Sequence, residues 1–114
     1  MSDWKIYHNP RCSKSRQTLA LLRENGVEPE VIEYLNTPPS AEEIEEIMEM
    51  FSAEPHLLVR TKEEEYRKDP FSLKSKKEIA RHLAEKPALM ERPLVVHQGK
   101  AVLGRPPENV KVLL

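Results

Sequence analysis

Trp4-Lys5-Ile6-Tyr7-His8-Asn9-Pro10-Arg11-Cys12-Ser13-Lys14-Ser15-Arg16 joins a short apolar run to the start of a helical pattern that carries Leu19 and Leu22. Pro10 breaks regularity between the two, so the only cysteine of the chain falls at a strand-to-helix turn. The pattern predicts a helix over Ser13 to Asn25, stopped by Gly26 at a favourable C′ position. Glu30-Val31-Ile32-Glu33-Tyr34 then reads as a second strand. Strand, helix and strand within this distance form a βαβ unit, with parallel strands and a right-handed crossover. Cys12 would lie at the carboxyl end of the first strand, where open α/β sheets place their ligands.

A cysteine at a helix N-terminus faces unpaired backbone N–H groups and the positive end of the helix dipole, and both favour thiolate over thiol. Arg11, Lys14, Arg16 and His8 add cationic character nearby. An unperturbed thiol is only about 3% ionised at pH 7, whereas a fall of roughly two units in its pKa makes most of it thiolate. The turn therefore suits a nucleophile or an anion site. The competing reading is a small buried hydrophobe, which free cysteines often are.

Further along, Thr37-Pro38-Pro39 ends the strand region, and Ser40-Ala41-Glu42-Glu43 has capping-box spacing ahead of Ile44, Ile47, Met48 and Phe51. Glu42, Glu45, Glu46 and Glu49 lie mostly outside that apolar stripe, as a solvated face rather than a metal site. His56-Leu57-Leu58-Val59-Arg60 suggests a short helical turn, and Thr61 to Lys74 carries no decisive pattern. Ser75-Lys76-Lys77-Glu78 repeats the capping-box spacing before Ile79 and Leu83, so a further helix runs to about Lys86. Period-two runs at Leu94-Val95-Val96-His97 and Lys100-Ala101-Val102-Leu103, separated by Gln98-Gly99, predict a two-residue hairpin of open turn type. Pro106 and Pro107 suit the first turn of a terminal helix carrying Val110 and Leu113. The sum is an α/β chain with a mixed four-stranded sheet flanked by helices and a helical insertion over about 38–86.

With 114 residues, one domain spanning 1–114 can bury roughly two thirds of its unfolded surface without disulfide staples. A net charge of −1 gives no general attraction to nucleic acid or an anionic membrane, so any anion chemistry must come from local clustering of cations. One cysteine permits no internal disulfide and no thiol–histidine zinc framework. The mixed start, soon interrupted by His8 and Pro10, does not read as a signal peptide, and no apolar run is long enough to span a bilayer. A reducing cytoplasm is the expected location.

Asn9-Pro10-Arg11-Cys12-Ser13-Lys14-Ser15-Arg16 resembles the active-site turn of the glutaredoxin-linked arsenate reductase family. The similarity continues through Tyr34-Leu35, Pro38-Pro39-Ser40, Leu57-Leu58-Val59-Arg60, Arg92-Pro93-Leu94-Val95-Val96 and Gly104-Arg105-Pro106, in order, over nearly the whole chain. This resemblance implies a thioredoxin-like fold with a cis-proline junction at Arg92-Pro93. It implies Cys12 as nucleophile, His8 in thiolate activation, and Arg60, Arg92 and Arg105 around the anion and the covalent intermediate. Ser15 would stabilise the sulfur by a hydrogen bond or simply cap the helix. Taken singly, each arginine reads as a surface ion-pair partner; the joint match reverses that weighting. Glu91 and Glu108 stand close enough in sequence to hold or divert those side chains. Arg11, Ser13 and Lys14 are larger or more charged than the corresponding residues of many such reductases.

The mechanism implied by the resemblance has the Cys12 thiolate attack arsenate with loss of water, after which a glutathione thiol joins the arsenic adduct. Glutaredoxin reduces the mixed species and arsenite leaves, with glutathione as co-substrate and no bound metal or organic cofactor. A lone cysteine fits external resolution of this kind. A regulator of the Spx type, which uses this fold to contact RNA polymerase, is the alternative of a different class. Such regulators often carry Cys-x-x-Cys at this turn, where Ser15 stands here. A thiol-dependent reductase of another substrate is the remaining alternative.

Overall fold

The first strand of the computed structural model, β1 (Trp4–Tyr7), lies inside a four-stranded sheet of order β2-β1-β3-β4. The structure describes residues 3–114. Helix α1 (Ser13–Glu24) follows β1, and β2 (Glu30–Ile32) pairs with it in parallel, Ile6 opposite Val31. The βαβ unit is thus formed, although β2 stops two residues short of the predicted Tyr34. Past Ile32 the chain turns, with the N–H groups of Asn36 and Thr37 both donating to the Glu33 carbonyl. Tyr34 is buried in that turn, outside any strand. At the end of α1, Asn25 is the C-cap and Gly26 has φ +80°, the left-handed C′ geometry that glycine adopts without a Cβ penalty.

β3 (Leu94–His97) runs antiparallel to β1, and β4 (Lys100–Leu103) antiparallel to β3. Gln98 and Gly99 both have positive φ, 47° and 77°, which makes the connection a type I′ hairpin despite the unusual Gln98. The two-residue period of the strands divides the apolar residues between two faces. Ile6 and Val95 pack with Leu22 of α1 and with Val110 and Leu113 of a terminal 3₁₀ segment, Pro107–Leu113. Tyr7 and Leu94, one residue along, face the insertion. Each fully buried side chain of this size contributes about 1.5–3 kcal/mol, so a slip of register by one residue would forfeit both layers.

The insertion is helical, as its capping spacings predict. Helix α2 (Ala41–Met50) buries Ile44, Ile47 and Met48, α3 (Glu64–Lys68) fills part of the undecided stretch, and α4 (Lys76–Glu85) buries Ile79, Ala80 and Leu83 against α2. Short 3₁₀ turns at Pro55–Leu58 and Pro87–Leu89 complete it. Only half of each capping box is made: the Ser40 and Ser75 hydroxyls accept from the N–H groups of Glu43 and Glu78. The reciprocal carboxylates are used elsewhere. Glu43 accepts from the Tyr7 hydroxyl at 2.5 Å, tying α2 to the end of β1, and Glu78 pairs with Arg81. That hydrogen bond and burial together push the Tyr7 hydroxyl far above its usual pKa.

Peptide bonds Arg92-Pro93 and Arg105-Pro106 are both cis. The first was implied by the resemblance; nothing in the sequence singled out the second. Between them, Gly104 donates its N–H to the Pro93 carbonyl at 2.9 Å. A Cβ at Gly104 would lie 2.5 Å from the Thr18 hydroxyl oxygen and 2.9 Å from Pro93 Cγ, so this glycine lets β4, α1 and the Pro93 segment meet. Gly104→Ala should therefore lower stability by about 1–3 kcal/mol through overpacking. Urea unfolding checks this, and an unchanged midpoint would contradict it.

Candidate active site

The turn that follows β1 is built by its own side chains. The Asn9 carboxamide oxygen accepts from the Arg11 N–H at 3.0 Å, the Cys12 N–H donates to the Asn9 carbonyl at 3.0 Å, and Arg16 donates to the Pro10 carbonyl at 2.9 Å. His8 is anchored to β2 by its N–H, which donates to the Ile32 carbonyl at 2.8 Å. Cys12 is the N-cap residue of α1 and is partly exposed. Its extended backbone aims the side chain across the open end of the helix instead of into the core.

Burial alone pushes the Cys12 thiol up, but the nearby Ser15 N–H, the Arg92 guanidinium and the Lys14 N–H favour the thiolate and hold the pKa below the ordinary value. Arg105 Nη1 stands 3.9 Å from the same sulfur and donates to the Arg92 carbonyl at 3.0 Å. The sulfur thus faces the open N-terminus of α1 and the guanidinium groups of Arg92 and Arg105. This arrangement favours a nucleophilic thiolate, and the reading of Cys12 as a packed hydrophobe does not fit its exposure or partners.

His8 and Ser15 occupy a different shell from the one expected of Ser15. The Ser15 hydroxyl lies 2.6 Å from His8 Nδ1 and accepts from the Asn9 N–H at 3.0 Å; it is fully buried and does not cap the helix. It is the Ser15 backbone N–H, and not its hydroxyl, that favours the Cys12 thiolate. Burial lowers the His8 pKa, with Glu33 opposing and Arg23 and Arg16 reinforcing that shift, so the imidazole is predominantly neutral near pH 7. The His8 ring therefore meets the turn through the Ser15 hydroxyl.

Arg60, Arg92 and Arg105 come from the insertion, the residue before Pro93 and the end of β4; the fold brings Arg92 and Arg105 to Cys12 and places Arg60 across Glu91 from Arg105. Arg60 is mounted firmly: its N–H donates to the Leu89 carbonyl at 2.8 Å beside the Val59–Met90 bridge. Its Nη2 pairs with Glu63 at 2.6 Å and its Nε stands 3.8 Å from Glu91. Glu91 also lies 3.7 Å from Arg105 Nη1. Arg60, Glu63, Glu91 and Arg105 line an open cleft of about 380 Å³, large enough for a tetrahedral oxyanion. Glu108 forms no ion pair with Arg105, whose carbonyl instead accepts from Asn109 at 3.1 Å.

Tyr34 belongs to this site although its sequence context marks it only as a strand residue. Burial raises its pKa while the charges of Arg92 and Arg60 oppose that rise. Neither the buried Tyr34 hydroxyl nor the buried Arg92 Nε has a well-aligned hydrogen-bond partner among the described residues. Among those residues there is also no group of three or more His, Cys, Asp or Glu placed to hold a metal ion, and no helix long and apolar enough to cross a membrane.

The ArsC family profile matches residues 7–113, which include the turn and all three arginines. The chain belongs to the ArsC family. An arsenate reductase of Neisseria meningitidis serogroup A is 42% identical, with the whole of both chains covered. The uncharacterized protein YfgD of Escherichia coli K12 is 49% identical over 109 residues, covering 93% of this chain and 92% of that one. Among solved structures, the arsenate reductase of Vibrio cholerae superposes with a TM-score of 0.90 at 46% identity, covering 97% of each chain. The ArsC fold here is thioredoxin-like: a mixed four-stranded sheet with helices on both faces.

The sulfur's partners rank their contributions. Replacing Arg92 by Gln should raise the pH of half-maximal Cys12 alkylation by iodoacetamide more than His8→Ala does, because the Arg92 guanidinium favours the thiolate whereas the His8 ring meets the Ser15 hydroxyl. A larger rise in the His8 variant would show that the imidazole, and not the guanidinium, governs ionisation.

Proposed function

We propose that this ArsC-family chain is an arsenate reductase in which the Cys12 thiolate attacks arsenate, with glutathione and glutaredoxin completing the reduction. The observation that carries this reading is the convergence of Arg92 and Arg105 on the sulfur of the sole cysteine. A thiolate approaching an arsenate anion is opposed by like charge. Guanidinium groups at the meeting point relieve that repulsion and offer planar forks to tetrahedral oxygens.

In the first step a bond forms between sulfur and arsenic, and one arsenate oxygen leaves as water after taking up protons. Glutathione condenses onto the arsenic with loss of a second water. A glutaredoxin thiolate then attacks the glutathione sulfur, the glutathione–arsenic bond breaks with its electron pair left on arsenic, and As(V) becomes As(III). Water releases arsenite and restores Cys12. Both electrons come from thiols, so this route needs no metal or organic cofactor on the protein, and glutathione is a co-substrate. With Cys12 alone in the chain, the second thiol must come from outside. A reducing cytoplasm suits that chemistry.

His8 and Ser15 shape the turn, and Arg60 closes the outer side of the anion cradle. Exchanging Arg60, Arg92 or Arg105 for Lys keeps the charge but removes the fork. Each should lower kcat/KM for arsenate by roughly 10- to 150-fold, the equivalent of losing about 1.5–3 kcal/mol of charge-assisted hydrogen bonding. Steady-state kinetics on folded variants checks this, and wild-type constants in all three would remove the cradle.

The assignment as a whole is tested by arsenite formation with arsenate, glutathione and glutaredoxin supplied together and each omitted in turn. Turnover should require all three, and a folded Cys12→Ser protein should give none. Turnover retained by that variant, or turnover without either thiol, would overturn the proposal.

A further inference from the structure

Glu91 stands where a bound anion is expected. We propose that its carboxylate is the resident anion of the arginine cradle, and that an incoming tetrahedral oxyanion binds by exchanging with it. The inference rests on the reading of Arg60, Arg92 and Arg105 as an oxyanion cradle and names what regulates access to it.

One carboxylate oxygen, Oε1, makes three approaches: 3.8 Å to Arg60 Nε, 3.7 Å to Arg105 Nη1 and 3.2 Å to the Arg92 N–H, which donates to it. The two guanidinium distances exceed hydrogen-bonding range, so these are charge contacts without directed bonds. Arg60 directs its short contact to Glu63, at 2.6 Å. Glu91 therefore neutralises the cradle without saturating its donors. An oxyanion with several oxygens can offer forked hydrogen bonds to the same groups, whereas a simple halide cannot. Exchange then favours tetrahedral oxyanions over spherical anions.

Geometry makes such exchange practicable. The Glu91 side chain lines the open cleft with Arg60 and Arg105 and is 22% exposed, so solutes reach it and it can swing outward. Its backbone is fixed, the Glu91 N–H donating to the Leu58 carbonyl at 2.7 Å. Movement of the carboxylate need not disturb the strand bridge that mounts Arg60. Glu91 is no catalytic residue under this scheme, since its carboxylate contacts the arginines and not the sulfur.

The test compares wild type with Glu91→Gln, a near-isosteric change that keeps the oxygen accepting from the Arg92 N–H. Calorimetric titration with inorganic phosphate, an unreactive tetrahedral oxyanion, should show about 3- to 10-fold tighter binding to Glu91→Gln, as expected for removing a partly exposed competing charge. The ratio of Cys12 alkylation rates with anionic iodoacetate and neutral iodoacetamide should rise as well. This ratio reports anion entry, because the general thiol reactivity cancels. Phosphate affinity that is unchanged, weaker or unmeasurable in the variant, or an unaltered alkylation ratio, would overturn the proposal. Neither readout uses turnover: a failed reductase assignment shows as absent arsenite formation with phosphate tightening intact, and a failed exchange shows as intact turnover with no tightening.

Discussion

The stabilisation of a Cys12 thiolate by the open N-terminus of α1 sets the terms for the rest of the molecule. It arises because α1 begins at Ser13 with its first N–H groups unspent, and because Pro10 and the Asn9 contacts hold the preceding turn across the helix end. A thiolate held there requires compensating charge, and backbone dipoles supply only part of it. Arg92 and Arg105 supply more. Their placement depends in turn on β3 pairing with β1, on the hairpin returning β4, and on Gly104 permitting close approach to Thr18 and Pro93. The sheet order is thus the means by which Arg92 and Arg105, so distant from Cys12 in the chain, approach one sulfur atom.

The insertion contributes the outer part of the same site. Tyr7, at the end of β1, is buried against α2 and bonded to Glu43. The Val59–Met90 bridge then joins the insertion to the segment carrying Glu91 and Arg92. Arg60 consequently sits on backbone that is fixed at both sides. Carboxylates are interleaved with the guanidinium groups there, Glu63 and Glu91 against Arg60 and Arg105. Such interleaving keeps several like charges together without an occupant and leaves their donors incompletely used.

Much of this was legible in the sequence for physical reasons. The helix start at Ser13, the stop at Gly26, the Ser40 and Ser75 caps and the hairpin each have a local residue signature, and local signatures act at short range. What the sequence left hidden depends on contacts distant in the chain. The carboxylates of Glu43 and Glu78 left their capping boxes because Tyr7 and Arg81 offered alternatives. Tyr34 turned out of β2 to lie beside Arg92, and Ser15 gave its hydroxyl to His8, so that only its backbone N–H favours the thiolate. The arginine trio was legible through family resemblance alone; no spacing rule connects Arg60 with Arg105. Glu91 was visible as a neighbour of Arg92, but its position between Arg60 and Arg105 required the fold.

All of these relations converge on the ionisation of one thiol. The most direct measurement is the ultraviolet absorbance of the thiolate followed against pH in the wild-type protein, with Cys12→Ser as the blank. The account predicts a single transition with its midpoint clearly below the free-thiol value of about 8.5, so that a substantial thiolate fraction is present near neutral pH. A midpoint at or above that value would contradict it, because the helix N-terminus and the two guanidinium groups would then not be stabilising the charge for which the site is built.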